Sequence, residues 1–181
     1  MNVVISKTTK EMAHAAAEYA AEGIKQAIKN NGAAQIIVAT GASQFEFLQS
    51  LVDMPGIDWG KVTGFHLDEY VGLPPDHPQS YRYFMDQNLF NHVNINPKLT
   101  HVPEGNLPYR TAKDLVRVQA ACDNYEAMID DVGGIDYQVL GIGGNGHIGF
   151  NEPGSSLGSL TRIKTLTDRT RRDNARFFKS L

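Results

Sequence analysis

The sequence predicts an α/β fold, a Rossmann-like open sheet of mostly parallel strands with helices on both faces. Short apolar runs bounded by glycine alternate with longer segments whose apolar residues recur at helical spacing. Several runs end in small or polar residues, and the carboxyl edge of a parallel sheet is where such folds bind ligands. A length of 181 residues fits a single domain, which we place at residues 1–181.

The composition excludes several classes of protein. Hydrophobic residues make up 41% and charged residues 20% of the chain, which is typical of a globular protein and unlike a disordered one. The net charge of −3 disfavours nucleic acid as a partner. We also predict no membrane partner, because no apolar run is long enough for a signal peptide or a membrane span. The single cysteine, Cys122, cannot form an internal disulfide, so we expect a cytoplasmic protein.

The first elements are a short strand at residues 3–5 and a helix that begins after Thr8. Thr8 and Glu11 form a capping-box pattern, and Gly32 ends the helix. We expect the helix to pack on the sheet through an apolar face. The residues expected on that face are Met12, Ala16, Tyr19, Ile24 and Ile28.

A strand at residues 35–40 runs directly into Gly41, Ala42 and Ser43, and a helical pattern follows. A small-residue turn at the start of a helix offers backbone N–H groups and the positive end of the helix dipole to a phosphate. An ordinary turn capped by Ser43 explains the same residues equally well. The pattern therefore predicts either an anion site or a capped turn.

A strand at residues 62–67 ends in two adjacent carboxylates, Asp68 and Glu69. At a sheet edge such a pair can divide its roles, one residue acting as a general base and the other as a structural hydrogen-bond acceptor. A solvated acidic turn is the alternative interpretation. Because this is the second strand that ends in usable chemistry, we favour the base.

Three further elements lead to the last predicted strand. Ser80 is a plausible N-cap for a helix with an aromatic face, which we assign to the core or to a subunit contact. A short strand at residues 99–102 and a helix at residues 111–130 follow. The next strand begins at Tyr137, and its apolar residues at 139–142 are expected to be buried.

The densest polar cluster lies in the glycine-rich stretch GIGGNGHIGFNEP at residues 141–153, which holds Asn145, His147 and Glu152. A histidine held by a carboxylate can act as acid and base near neutral pH, so we interpret His147 and Glu152 as a catalytic pair. A metal is disfavoured because no third ligand has suitable spacing. The G-x-G-x-x-G match at 141–146 does not open a helix as a dinucleotide site requires. We therefore expect no cofactor and no metal.

Together these strand ends predict a phosphate turn, a carboxylate base and a histidine pair, which suit proton transfer on a phosphorylated polar substrate. Residues 161–176 add several basic side chains. They can form a solvated face, or their guanidinium groups can bind an anionic ligand.

The blocks that carry this chemistry closely resemble the glucosamine-6-phosphate deaminase (isomerase) family. They are ATGAS at 39–43, FHLDEYVGL at 65–73, HPQSYRYFM at 77–85, GIGGNGHIGFNEPGSSL at 141–157, TRIKTLT at 161–167 and NARFF at 174–178. The resemblance runs over almost the whole chain. It implies an enzyme of amino-sugar catabolism that converts glucosamine 6-phosphate and water to fructose 6-phosphate and ammonia, and it is compatible with a homo-oligomer.

The resemblance also implies a role for each matching residue. Asp68 corresponds to the base that moves a proton between C2 and C1 of the opened sugar, and His147, oriented by Glu152, to the residue that opens the ring. Asn145 stands where some members carry an aspartate, so it can only form hydrogen bonds. The implied phosphate pocket comprises Thr40, Gly41, Ala42, Ser43, Gly141 and Arg176. Positions that bind an allosteric amino-sugar phosphate in some bacterial members, or else form a solvated basic turn, are Ser155, Arg162 and Lys164.

Family members continue past the position of Leu181, so the resemblance implies that the C-terminal part of the fold is missing here, with a phosphate-binding lysine and half of a lid. Two alternatives stay open: a 6-phosphogluconolactonase-like hydrolase on a related fold, and a non-catalytic sugar-phosphate-binding protein. The lactonase family lacks HLDEYVGL and GFNEPG in the form found here. The epimer at C4 of the sugar also stays open.

Overall fold

The computed structural model describes residues 2–175 and has the predicted α/β fold with a parallel sheet. The strands are β1 (Ala34–Val38), β2 (Val62–His66), β3 (Thr100–His101) and β4 (Tyr137–Gln138). The helices are α1 (Thr9–Asn31), α2 (Phe45–Val52), α3 (Tyr81–Asn88), α4 (Ala112–Asp131) and α5 (Asp168–Asn174). The four strands pair in the order β3-β2-β1-β4, and each pair is parallel.

Backbone contacts divide the chain into two compact units. The first comprises residues up to His66 together with Met85–His101 and Gly134–Val139. The second comprises Leu67–Phe84, Val102–Gly133 and the described residues from Leu140 onward. The single domain predicted over residues 1–181 stays a prediction, because a division by backbone contacts does not test it. None of the described helices has both the length and the apolar character that crossing a bilayer requires.

The first unit contains the sheet. The register pairs Val38 with His66, so β1 and β2 end at the same edge. Ile36 and Phe65 are almost completely buried, as expected where helices cover a parallel sheet. Asp136 anchors the start of β4, because its carboxylate accepts hydrogen bonds from the Gln35 N–H at 2.8 Å and from the side chain of Asn31 at 3.0 Å.

Helix α1 has the predicted ends but a different buried face. Thr8 Oγ1 accepts a hydrogen bond from the N–H of Glu11 at 3.1 Å, and Gly32 ends the helix with a φ of 83°. The predicted face was wrong for Ala16, which is exposed, and for Met12 and Tyr19, which are 48% and 69% exposed. Small side chains let a helix approach its neighbours closely, and the buried stripe consists of Ala13, Ala17, Ala20, Ala21, Ile24 and Ala27.

Two predicted strand segments were also wrong. Residues 3–5 form no strand, and Ile5 is 92% exposed. The strand at Tyr137 leaves the ladder early: β4 has two residues, and the Val139 N–H makes one further bond to Ile37 at 2.8 Å. Leu140 and Ile142 are therefore 43% and 78% exposed instead of buried, because no described strand pairs with the outer edge of β4.

The second unit contains loops, helices α4 and α5 and the first residues of α3, and the starts of α3 and α4 follow clear local signals. Thr111 and Asp114 form a reciprocal capping box at the start of α4. Only Val118 and Tyr125 are buried along α4, and Val116 on the same helix is 70% exposed. Ser80 Oγ accepts a hydrogen bond from the N–H of Tyr83 at 3.0 Å, which supports its predicted role as the cap of α3.

Candidate active site

Asp68 and Glu69 follow the end of β2, and their surroundings differ sharply. Glu69 is used by the backbone: its Oε1 accepts hydrogen bonds from the N–H groups of Tyr70 at 2.8 Å and Tyr81 at 3.0 Å, and its Oε2 accepts from the N–H of Arg82 at 3.0 Å. Asp68 is half-buried, and burial, followed by the nearby charge of Glu69, raises its pKa from 3.8 to about 7. The pair is thus no solvated acidic turn, and Asp68 is the candidate base.

Asn145 lies between His147 and Glu152 and bonds to both. Its Nδ2 donates to Glu152 Oε2 at 2.7 Å, and its Oδ1 is 2.7 Å from His147 Nδ1. An ionised carboxylate only accepts, so Asn145 must present its NH₂ group to Glu152 and its oxygen to His147. In the neutral imidazole, Nδ1 is therefore the ring nitrogen of His147 that carries the proton, because it faces the Asn145 oxygen, and Nε2 holds the lone pair. The prediction that Glu152 orients His147 directly was wrong. The amide of Asn145 lies between the two side chains, so Glu152 acts on the orientation of His147 only through that amide.

Glu152 is a fixed anion rather than a proton carrier. Its side chain is 4% exposed, and its Oε1 accepts hydrogen bonds from the Thr167 N–H at 3.0 Å and the Thr167 hydroxyl at 3.2 Å. Burial by itself would raise the pKa of Glu152, but hydrogen bonds from Thr170, Thr167 and Asn145 lower it to about 2. Glu152 consequently stays ionised at neutral pH, which leaves His147 as the candidate acid–base residue of the predicted pair.

Aromatic rings join the segment that carries Asp68 to the segment that carries His147. The ring of Phe150 lies 5.7 Å from His147 and 5.8 Å from Tyr70, measured between centroids. Tyr81 stacks on Phe150 at 6.2 Å and donates a hydrogen bond to the hydroxyl of Tyr70 at 3.1 Å. Among the described residues Phe150 is the one non-glycine with a positive φ, at 54°. The aromatic face of α3, which was assigned to the core or to a subunit contact, thus contributes Tyr81 to the candidate site.

Gly143 explains part of the glycine pattern in the same stretch. A Cβ atom at this position would overlap the imidazole of His147. The Gly143 N–H also donates to the backbone oxygen of His147 at 2.9 Å. The absent side chain at Gly143 therefore makes room for the imidazole of His147.

The turn after β1 lies in the first unit. Gly41 has a φ of 115°, which favours glycine, and residues 42–44 form one 3₁₀ turn before α2. Within the described residues neither this turn nor α2 receives a side-chain cap, and the Ser43 hydroxyl instead accepts from Gln44 Nε2 at 3.2 Å. The capped-turn alternative is therefore not what the structure shows. Thr40 is half-buried, as is Gly141 in the second unit. Arg176 lies outside the described residues.

The basic residues beyond Glu152 are only partly engaged. Arg162 donates to the Asn151 side chain at 2.9 Å and to the Leu160 carbonyl at 3.1 Å. Lys164 is exposed. The Ser155 hydroxyl is buried and has no hydrogen-bond partner among the described residues. Across residues 2–175, which the structure describes, no cluster of His, Cys, Asp or Glu side chains is placed to hold a metal ion.

Sequence reasoning missed the residues that support the histidine. Thr167 and Thr170 were noted only as part of a basic segment, although a threonine before an acidic residue and a second threonine is typical of a helix N-cap. Tyr70 and Phe150 carry no short-range signal, because their contact joins segments about 80 residues apart.

Comparisons with known proteins show which family the chain resembles. The family model of glucosamine-6-phosphate isomerases/6-phosphogluconolactonase matches residues 7–155. A glucosamine-6-phosphate deaminase of Shewanella woodyi is 47% identical over 99% of this chain. The chain spans 64% of the length of that relative.

Solved structures give the same result for the fold. The structure of a monomeric glucosamine-6-phosphate deaminase superposes with a TM-score of 0.88 at 36% identity, covering 99% of this chain and 71% of that one. A 6-phosphogluconolactonase of Thermotoga maritima superposes with a TM-score of 0.64 at 21% identity, covering 75% of this chain and 58% of that one, and shows the shared fold alone. The sequence blocks, the parallel sheet and these matches together show that the chain belongs to the glucosamine-6-phosphate isomerases/6-phosphogluconolactonase family, on its glucosamine-6-phosphate deaminase side.

Proposed function

We propose that this protein converts glucosamine 6-phosphate and water to fructose 6-phosphate and ammonia. One observation carries the proposal: within one compact unit, a carboxyl group with a pKa raised to about 7 lies on a segment packed against the segment of a histidine whose Nδ1 faces the Asn145 oxygen. An aldose–ketose shift needs a base of moderate pKa, and ring opening needs a second acid–base group. The deaminase relatives support the same reaction.

Each residue then takes a defined step. His147 Nε2 accepts the C1 hydroxyl proton and returns a proton to the ring oxygen, which opens the pyranose to an aldehyde. Asp68 removes the proton from C2 while O1 takes up a proton, which gives an enolamine. Asp68 then delivers its proton to C1, and the nitrogen on C2 releases one proton as the imine forms, so the protons balance. Water adds to that imine, and ammonia leaves from C2. Asn145 and Glu152 hold the histidine but exchange no proton, since their hydrogen bonds leave them none to give at neutral pH.

The phosphate of the substrate is assigned to the turn at Thr40, Gly41, Ala42 and Ser43, with Gly141 and Arg176. The uncapped start of α2 supports this assignment, because backbone N–H groups at a helix start attract phosphate. Ser155, Arg162 and Lys164 are proposed as a regulatory anion site, and the buried hydroxyl of Ser155 supports that proposal. We place the reaction in the cytoplasm, because the single Cys122 has no internal disulfide partner. A homo-oligomer stays a prediction.

A coupled assay for ammonia, run beside an assay for hydrolysis of 6-phosphogluconolactone, tests the proposal. We expect ammonia from glucosamine 6-phosphate and no lactone hydrolysis. Asp68→Asn should lower the rate by roughly 10²-fold or more while substrate still binds. The exposed Asp76, exchanged for asparagine, is the matched control and should leave the rate unchanged.

Other outcomes select the alternatives. Lactone hydrolysis without ammonia would identify a 6-phosphogluconolactonase-like hydrolase, which the fold also accommodates. Calorimetric binding of glucosamine 6-phosphate with no turnover, unchanged by Asp68→Asn, would identify a sugar-phosphate-binding protein. Running galactosamine 6-phosphate in parallel assigns the epimer.

A further inference from the structure

Two threonines at the start of α5 reach the anion that supports the histidine. The Thr167 hydroxyl lies 3.2 Å from Glu152 Oε1 and 3.1 Å from the hydroxyl of Thr170. Thr170 is 1% exposed, and its side chain also bonds to Glu152. Neither threonine has a role in the reaction steps above. Removing the two threonine hydroxyls would therefore change the hydrogen bonding of Glu152.

The threonines occupy the acceptor positions of Glu152 that Asn145 does not use. Thr167 supplies two donors to Oε1, and Asn145 supplies one to Oε2. The Asn145 NH₂ group also lies 3.4 Å from the Thr170 hydroxyl oxygen. Two acceptor atoms, Glu152 Oε2 and the Thr170 hydroxyl oxygen, therefore face the amide nitrogen of Asn145. The amide oxygen of Asn145 must then point towards His147. Without the two threonine hydroxyls Glu152 keeps only the Thr167 N–H and the Asn145 NH₂ group as donors, and this weaker hold lets the carboxylate rotate and the amide reverse.

We propose that Thr167 and Thr170 are positioning residues: by holding Glu152 they fix the amide of Asn145, and the amide fixes which nitrogen of His147 carries the proton. The catalytic meaning of this inference rests on the proposed function, because only ring opening needs the Nε2 lone pair. The placement of the proton itself does not depend on any reaction. The hydroxyl of Thr167 also accepts from the N–H of Thr170 at 3.3 Å, so one side chain both caps α5 and anchors the site.

The test uses ¹⁵N NMR of the His147 ring in the 181-residue chain. In the native protein we expect the Nδ1-protonated tautomer to exceed the other by about tenfold or more. The double variant Thr167→Val/Thr170→Val should shift that ratio by about tenfold towards Nε2 protonation, and Thr167→Ser/Thr170→Ser should restore it. Thr165→Val, an exposed position on the same segment, is the control and should leave the spectrum unchanged.

A change in fold must be separated from a change in tautomer. The single variant Thr170→Val keeps the Thr167 hydroxyl that caps α5, so it should shift the ratio while the amide spectrum of the chain stays native. In a background of Asn145→Ala, the threonine changes should have no further effect. An unchanged ratio in the folded valine variants, or an equal shift in the Asn145→Ala background, overturns the proposal.

Deamination kinetics distinguish this inference from the proposed function. If both stand, the valine variants lose about tenfold in kcat with KM within twofold, and the serine variants recover. If the tautomer shifts but no variant releases ammonia, the proposed function fails and the positioning role remains. If ammonia is released but the tautomer ratio of His147 is the same in the threonine variants as in the native protein, the positioning role is overturned and the proposed function stands.

Discussion

Replacing Asp68 with asparagine is expected to make the protein more stable, although it removes the proposed base. Burial and the charge of Glu69 raise the pKa of Asp68 from 3.8 to about 7, so the ionised form is disfavoured in the folded state. A raised pKa contributes stability that is fully present below pH 3.8 and is lost as the pH rises through about 7. Asparagine resembles the protonated form and avoids that loss.

The magnitude follows from the size of the pKa change. A rise from 3.8 to about 7 corresponds to roughly 4 kcal/mol at about 1.36 kcal/mol per pH unit. Asp68 is only half-buried, so contact with water should reduce this figure by about half. We expect Asp68→Asn to raise the free energy of unfolding by about 2 kcal/mol at pH 8 and by nearly nothing at pH 4.

Urea unfolding at both pH values measures the difference directly. The control is Asp76→Asn, a carboxylate eight positions away that is exposed, and its effect should stay within about 0.5 kcal/mol at either pH. A destabilised Asp68→Asn variant at pH 8, or an effect of equal size at pH 4, would refute the assignment of Asp68 as a carboxylate held near neutral pKa by its surroundings.

Three further changes test the support of the site. Glu69→Gln replaces the oxygen that accepts from Arg82 N–H with an NH₂ group, so thermal unfolding should show a loss of about 1–3 kcal/mol; full stability would mean that the carboxylate is not the anchor of α3. Gly143→Ala should displace the imidazole of His147 and lower deamination by about 10²-fold with the fold intact by circular dichroism, and normal turnover would contradict the close contact. Because hydrogen bonds lower the pKa of Glu152 from 4.5 to about 2, its contribution is present above pH 4.5 and is lost as the pH falls through about 2. Glu152→Gln should therefore flatten the dependence of unfolding free energy on pH in that range, and an unchanged acid limb would count against an ionised Glu152.

The sequence predicted the parts of the fold that depend on neighbouring residues. Strand β1 was expected at residues 35–40 and is found at Ala34–Val38, because a buried parallel strand is a continuous apolar run. The caps Thr8 and Ser80 were expected from residue type and spacing, and each accepts the hydrogen bond predicted for it.

Errors occurred where a second segment decides the outcome. The alanine-rich helix α1 offers more than one stripe at helical spacing, and packing against α2 and the sheet selects the one with the smallest side chains. Leu140 and Ile142 looked like strand residues, but the last hydrogen bond from this segment to β1 is that of the Val139 N–H. Apolar composition by itself does not tell where a ladder stops.

The sequence by itself determined which chemical groups this protein has: a carboxylate after β2, a histidine among glycines, and a small-residue turn before α2. The tertiary structure alone decided how these groups are arranged. Asn145 lies between His147 and Glu152, and Thr167 donates a hydrogen bond to Glu152. The physical reason is that a pKa and the direction of an amide depend on burial and on donors brought from distant parts of the chain, whereas helix caps and apolar runs depend on residues a few positions apart.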